Sequence, residues 1–144
     1  QTNLETRRLA VKELQNGGVV IIFPSGAISR AKRFVDKAVD PIWKKFVAKL
    51  ATQPGTQVLP FFIEGQNTPI FQFAIQCSQT LGYSLMFREI CKRMYRPVNI
   101  QMRPIITEQM IADINDRNKL IEKLRNITYF GVDKPPINMN KLSK

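Results

Sequence analysis

The chain has 144 residues, 44% of them apolar and 23% charged, a composition that buries one core and does not fit a disordered chain. Lysine and arginine number 22 against 11 acidic residues, and the resulting net charge of +11 calls for an anionic partner. The histidine count is 0, so the chain holds no Ser-His-Asp triad, Cys-His pair, HExxH zinc site or imidazole base of its own.

The chain opens on Gln1, and no n-region or h-region follows. This predicts a start inside a longer polypeptide. Residues 3–15 read as a helix. Leu4, Leu9, Val11 and Leu14 mark its apolar side, with Arg7, Arg8 and Lys12 mostly outside it. Asn16-Gly17-Gly18 supplies the left-handed stop. Val19-Val20-Ile21-Ile22-Phe23 follows as a run without alternation. Such a run predicts a strand buried on both faces, as in a parallel sheet flanked by helices.

A loop from Pro24 to Arg30 breaks the strand, and a basic stretch continues to Lys37. Asp40-Pro41 predicts a helix start, with Asp as N-cap and Pro at the first helical position. Ile42, Trp43, Phe46, Val47 and Leu50 share one face of that helix, and Pro54-Gly55 ends it. Gln57-Val58-Leu59-Pro60-Phe61-Phe62-Ile63 is the second expected buried strand. Strand, helix and strand in that order predict a right-handed parallel βαβ unit, with Pro60 at an edge or irregular point. The loop Glu64-Gly65-Gln66-Asn67 then leaves the same sheet edge as the Pro24–Arg30 loop, where open α/β sheets bind ligands.

Residues 69–87 are apolar and aromatic and carry no charge; Arg88, Lys92, Arg93 and Arg96 follow at once. Two readings stand for this segment. It is core with a solvated basic face, or an interfacial element with cations at lipid head groups. Cys77 and Cys91 are too few for a disulfide framework and read as free, partly buried thiols of a reducing compartment. Val98–Arg103 alternates apolar and polar, predicting a third strand with one wet face. Asn115 or Asp116 caps a last helix carrying Leu120, Ile121, Leu124 and Ile127. Residues 1–132 thus form the expected folded unit, and 133–144 a loosely ordered basic tail. The expected class is α/β, a mostly parallel sheet with flanking helices. No apolar run approaches the ~20 residues needed to span a bilayer.

The segment richest in chemistry is Phe23-Pro24-Ser25-Gly26-Ala27-Ile28-Ser29-Arg30. A Gly-containing loop after a buried strand, with two hydroxyls and an Arg fork, suits an anionic oxygen cluster. A plain strand-to-helix turn with solvated Ser and Arg fits the same residues. Ser25 lacks the flanking glycines of a nucleophile elbow and any base to activate it.

This loop resembles the Phe-Pro-Glu-Gly-Thr-Arg-Ser block of glycerolipid and lysophospholipid acyltransferases. Val58–Gly65 resembles their later Val-Pro-Val block. Asp40-Pro41-Ile42-Trp43, Glu64-Gly65-Gln66-Asn67 and Phe87-Arg88-Glu89-Ile90 are similar to a bacterial branch, the hemolysin-type and ornithine-lipid acyltransferases. The resemblance runs from about Asn3 to Phe130. Its departures fall in the first block: Ser25 stands for Glu, Ala27 for Thr and Ile28 for Arg, while Ser29 matches.

The resemblance implies the C-terminal part of an acyltransferase domain, truncated on its N-terminal side. The parent transfers a fatty acyl group from acyl carrier protein or a coenzyme A thioester to a lysolipid hydroxyl. The family's His-x-x-x-x-Asp base lies upstream of Gln1, so no catalytic residue is expected in this chain. Ser25, Gly26, Ser29 and Arg30 are the implied phosphate contacts. Phe23, Pro24, Pro60, Gly65 and Asn67 are the implied pocket wall. No cofactor and no metal is implied. The expected place is the cytoplasmic side of the inner membrane, peripheral to an anionic lipid surface. The alternative is a non-catalytic, basic, lipid-binding relative. Nucleic acid is not expected, because the cations are spread over many elements without an RNA- or DNA-binding motif.

Overall fold

The computed structural model describes residues 2–33 and 36–131. The expected tail at 133–144 lies outside them. Helix α1 spans Thr2–Gln15. Its end is a Schellman motif: Gly17, at φ +78°, donates to the Leu14 carbonyl, and Gly18 donates to that of Glu13. Leu4 and Leu9 stay exposed, and α1 reaches α2 through Arg7, whose guanidinium lies 5.5 Å over the Phe46 ring.

Helix α2 (Lys45–Ala51) begins later than Asp40-Pro41 predicts. The carboxylate of Asp40 is engaged elsewhere, accepting from the Ser29 hydroxyl and the Trp43 indole. The Lys44 amide donates to the Pro24 carbonyl at 2.9 Å, which holds the lead-in against the first loop instead of a helical turn. Val47, Ala48, Leu50 and Ala51 are buried.

The last helix, α6 (Arg117–Phe130), follows its local signals. Asp116 is the N-cap and accepts from the Asn118 amide at 2.7 Å. Leu120, Ile121, Leu124 and Ile127 fall on one face and pack against Trp43, Val47, Ala48 and Ala51, with Ile106 and Ile111 completing the core. Each fully buried aliphatic side chain here contributes about 1.5–3 kcal/mol.

The expected parallel sheet is not found among the described residues. Their single sheet is an antiparallel ribbon of β1 (Phe61–Ile63) and β2 (Ile100–Met102), paired Phe61↔Met102, Phe62↔Gln101 and Ile63↔Ile100. The fold is therefore mixed α/β. A bridge joins Val58 to Ile106 further along. From Val58 to Phe61 is three steps and from Ile106 to Met102 is four, so one strand carries an extra residue. Pro60, with no N–H to give, sits at this interruption and accepts from the Arg103 amide at 2.9 Å. Both faces of β2 are exposed, not one.

Val19–Phe23 forms no strand in the described structure. A strand needs a neighbour for its amides and carbonyls, and the partner expected here, Val58–Ile63, pairs with the chain around Ile100–Ile106 instead. Val19 is 85%, Ile21 86% and Phe23 76% exposed, the opposite of the expected two-sided burial.

Residues 69–87 divide between the two readings. Helices α3 (Pro69–Cys77) and α4 (Gln79–Ser84) form a tight pair, and α5 (Met86–Arg93) follows. Phe71, Ala74 and Ile75 are buried; Ile70, Phe73, Leu81, Tyr83 and Phe87 remain largely exposed. A Cβ on Gly82 would stand 2.6 Å from that of Ile75, so only glycine permits this crossing. Cys77 and Cys91 are free, as expected, but exposed instead of partly buried. No helix of the described residues is long and apolar enough to cross a membrane.

Candidate functional site

The two loops singled out in the sequence meet at one concavity. Its volume is about 280 Å³, and its lining includes Ile28 and Ser29 from the first loop and Gly65, Gln66 and Asn67 from the second. The Gln66 side-chain oxygen accepts from the Ala38 amide at 2.8 Å and ties the two segments together.

Within the first loop, Ser25 is buried at 5% exposure. Its hydroxyl donates to the Ala27 carbonyl at 2.9 Å and accepts from the Ala27 amide at 3.3 Å, a closed local turn. Gly26 donates to the Phe23 carbonyl at 3.0 Å and has φ +61°, which favours glycine there. Arg30 pairs through its backbone with Val39, and its side chain is exposed. Ser25, Gly26 and Arg30 do not line the cavity; nor do Phe23, Pro24 and Pro60. Ser29, Gly65 and Asn67 do.

Asp40 fixes this region to α6. Besides the bonds from Ser29 and Trp43, its amide donates to the Tyr129 hydroxyl at 3.1 Å, and its carbonyl accepts from Arg125 at 2.6 Å. Burial raises the Tyr129 pKa above its ordinary 10.0, so this phenol is protonated at neutral pH. A second tie comes from α3. Gln72 accepts from the Ala31 amide at 2.9 Å, and Gln76 donates to the Ala31 carbonyl at 2.7 Å.

The cation at the cavity is Arg93, not Arg30. Its guanidinium donates to the Gln66 carbonyl at 2.7 Å and lies under Gly65. Gly65 has φ +118°, and a Cβ there would stand 2.9 Å from the Arg93 Nη2. The glycine is thus favoured by its backbone, and the guanidinium fills the space a Cβ would take. In the sequence Arg93 is one of the cations of 88–96; its bond to the Gln66 carbonyl ties it to the second loop.

The chemistry available is recognition. Side-chain amide and guanidinium donors converge on an open cavity, a set that suits an oxyanion, while the Ser29 hydroxyl beside them donates to Asp40. Of the nearby carboxylates, Asp40 is engaged as above, and Glu64 accepts from Asn99 and Gln101. No group of His, Cys, Asp and Glu suited to a metal ion occurs among the described residues. Comparison of the chain with family models, curated proteins and solved structures found no match.

Proposed function

We propose that the chain is the C-terminal portion of a glycerolipid or lysophospholipid acyltransferase domain. Its parent moves a fatty acyl group from acyl carrier protein or a coenzyme A thioester to a lysolipid hydroxyl. The domain's complete sheet is mostly parallel in this reading, with Val19–Phe23 as one strand beside a neighbour from the preceding sequence. The parent sits peripherally on the cytoplasmic face of the inner membrane.

One observation carries the reading. The two blocks that resemble the family, far apart in sequence, supply Ser29 on one side and Gly65 and Asn67 on the other of a single cavity. The net charge of +11 suits an acidic carrier protein and an anionic lipid face. In the reaction, an upstream imidazole takes the proton of the acceptor hydroxyl. The oxygen attacks the thioester carbonyl, and the thiolate leaves. This chain's part is to hold the acceptor's anionic group, with Arg93 and Asn67 at the cavity and the Ser25–Arg30 turn beside it.

The test is acyl transfer by the parent polypeptide and by residues 1–144 alone. The parent is expected to acylate a lysolipid, and the shorter chain to show no turnover. Arg93→Ala in the parent is expected to raise the acceptor KM about tenfold or more, since a charge-assisted bond is worth roughly 1.5–3 kcal/mol. Arg30→Ala is expected to do less. Turnover by residues 1–144, or an unchanged KM in Arg93→Ala, rejects the assignment. The second reading, a non-catalytic lipid-binding module, is favoured by Ser25, whose hydroxyl is closed on its own loop. An inactive parent that still sediments with anionic vesicles decides for it.

A further inference from the structure

A second concavity lies on the far side of Arg93. It has a volume of about 360 Å³ and is lined by Gln66, Thr68, Glu89, Lys92, Arg93 and Arg96. Glu89 is buried, and its two oxygens are taken by Thr68, from the backbone amide at 2.6 Å and from the hydroxyl at 2.6 Å. That carboxylate is spent on fixing the start of α3. The side chains of Lys92 and Arg96 make no hydrogen bond or ion pair with any described residue. Three exposed cations therefore line one recess, with a single engaged carboxylate beside them.

The backbone turn after α5 brings Arg96 to this recess. Tyr95, at φ +62°, is the only non-glycine among the described residues with a left-handed backbone, an unfavourable state for a residue with a side chain. It turns the chain just past α5, so that the Arg96 amide donates to the Arg93 carbonyl at 3.1 Å. Cations in the last turn of a helix complement its dipole, which accounts for Lys92 and Arg93. It does not account for Arg96, which lies beyond the helix and is folded back to the recess.

We infer that Lys92, Arg93 and Arg96 form a phosphate-binding site that adjoins the cavity of the proposed acyl transfer and shares Gln66 and Arg93 with it. The ligand is a phosphate group, free or esterified. Its several acceptor oxygens match two guanidinium forks and an ammonium. Both a lipid head group and a free phosphate carry this chemistry.

The experiment uses two probes on the full chain: inorganic phosphate, titrated by calorimetry, and vesicles of phosphatidylcholine with or without phosphatidylglycerol, followed by sedimentation. Lys92→Ala and Arg96→Ala are compared with Lys119→Ala, an exposed cation on α6 that removes the same charge elsewhere. Arg93 is left intact because it borders both cavities. We expect Lys92→Ala and Arg96→Ala each to weaken binding about fivefold, and Lys119→Ala to leave it nearly unchanged. Loss confined to the inorganic phosphate arm identifies a free phosphate; loss confined to the phosphatidylglycerol arm identifies a lipid head group. Equal binding by all variants, equal loss in Lys119→Ala, or no binding of either probe overturns the site. Neither arm involves acyl transfer, so an inactive enzyme with intact phosphate binding separates the two claims.

Discussion

The α2–α6 pairing and the β1–β2 ribbon are both made of apolar residues, yet they meet water differently. Leu124 on α6 is 2% exposed, whereas Met102 on β2 is 69% exposed. The helices close on each other because each presents a stripe wide enough to cover its partner. A two-stranded ribbon satisfies only the backbone between its strands, and it is marginal unless another element covers a face. Here α6 supplies part of that cover: Tyr129 packs on Phe62 with ring centroids 5.3 Å apart, and Arg103 donates to the carbonyls of Thr128 and Tyr129. One region is held by volume, the other by a few directed bonds.

The sharpest way to break the contrast is Leu124→Ala. It leaves a hole in the helix core and is expected to cost about 2–5 kcal/mol in a denaturant titration. A loss under about 1 kcal/mol would mean that α6 does not close on α2. Gly65→Ala probes the other region. It forces a side chain onto a left-handed backbone and into Arg93, with an expected cost of about 1–3 kcal/mol. A Gly65→Ala chain of unchanged stability would mean that the backbone at this position is not held at positive φ.

Tyr129 links the two regions and offers a pH test. Burial raises its folded pKa above the ordinary 10.0, so the folded chain keeps a proton that the unfolded chain releases. Its contribution is fully present below pH 10 and is lost as pH rises through the folded pKa. Stability is therefore expected to fall on the alkaline side, less steeply in Tyr129→Phe, as read from melting temperatures across that range. Superimposable profiles would place the phenol in water. The smallest effect is expected for Ile21→Ser. An exposed, unpaired residue should change stability by no more than about 0.5 kcal/mol, and a larger loss would show that Val19–Phe23 is covered in solution.

The elements legible in the sequence are those whose causes are local. Asp116 and the apolar positions of α6 lie within one helix, and the Gly17-Gly18 stop lies within one turn of α1. Asp40-Pro41 carries an equally plain local signal, but Ser29 and Trp43 claim its carboxylate, and no window of neighbouring residues contains them both. Val19–Phe23 reads as a strand because β-branched residues favour one; whether it becomes one depends on a neighbour that the run itself does not specify. The site divides the same way. Its two loops announce themselves by composition, and their meeting at one cavity is found. Arg93 does not, because its partner, the Gln66 carbonyl, is far from it in sequence.

The grip of α3 on Ala31 has a mechanical corollary. Two glutamines one helical turn apart hold the amide and the carbonyl of the same residue, as a neighbouring strand would, so a helix stands in for a sheet edge. Sliding the Arg30–Lys32 stretch lengthwise by a single residue would carry Ala31 out of reach of both amide groups at once. The clasp thus works as a registration pin, setting how far the first loop can travel along its own direction.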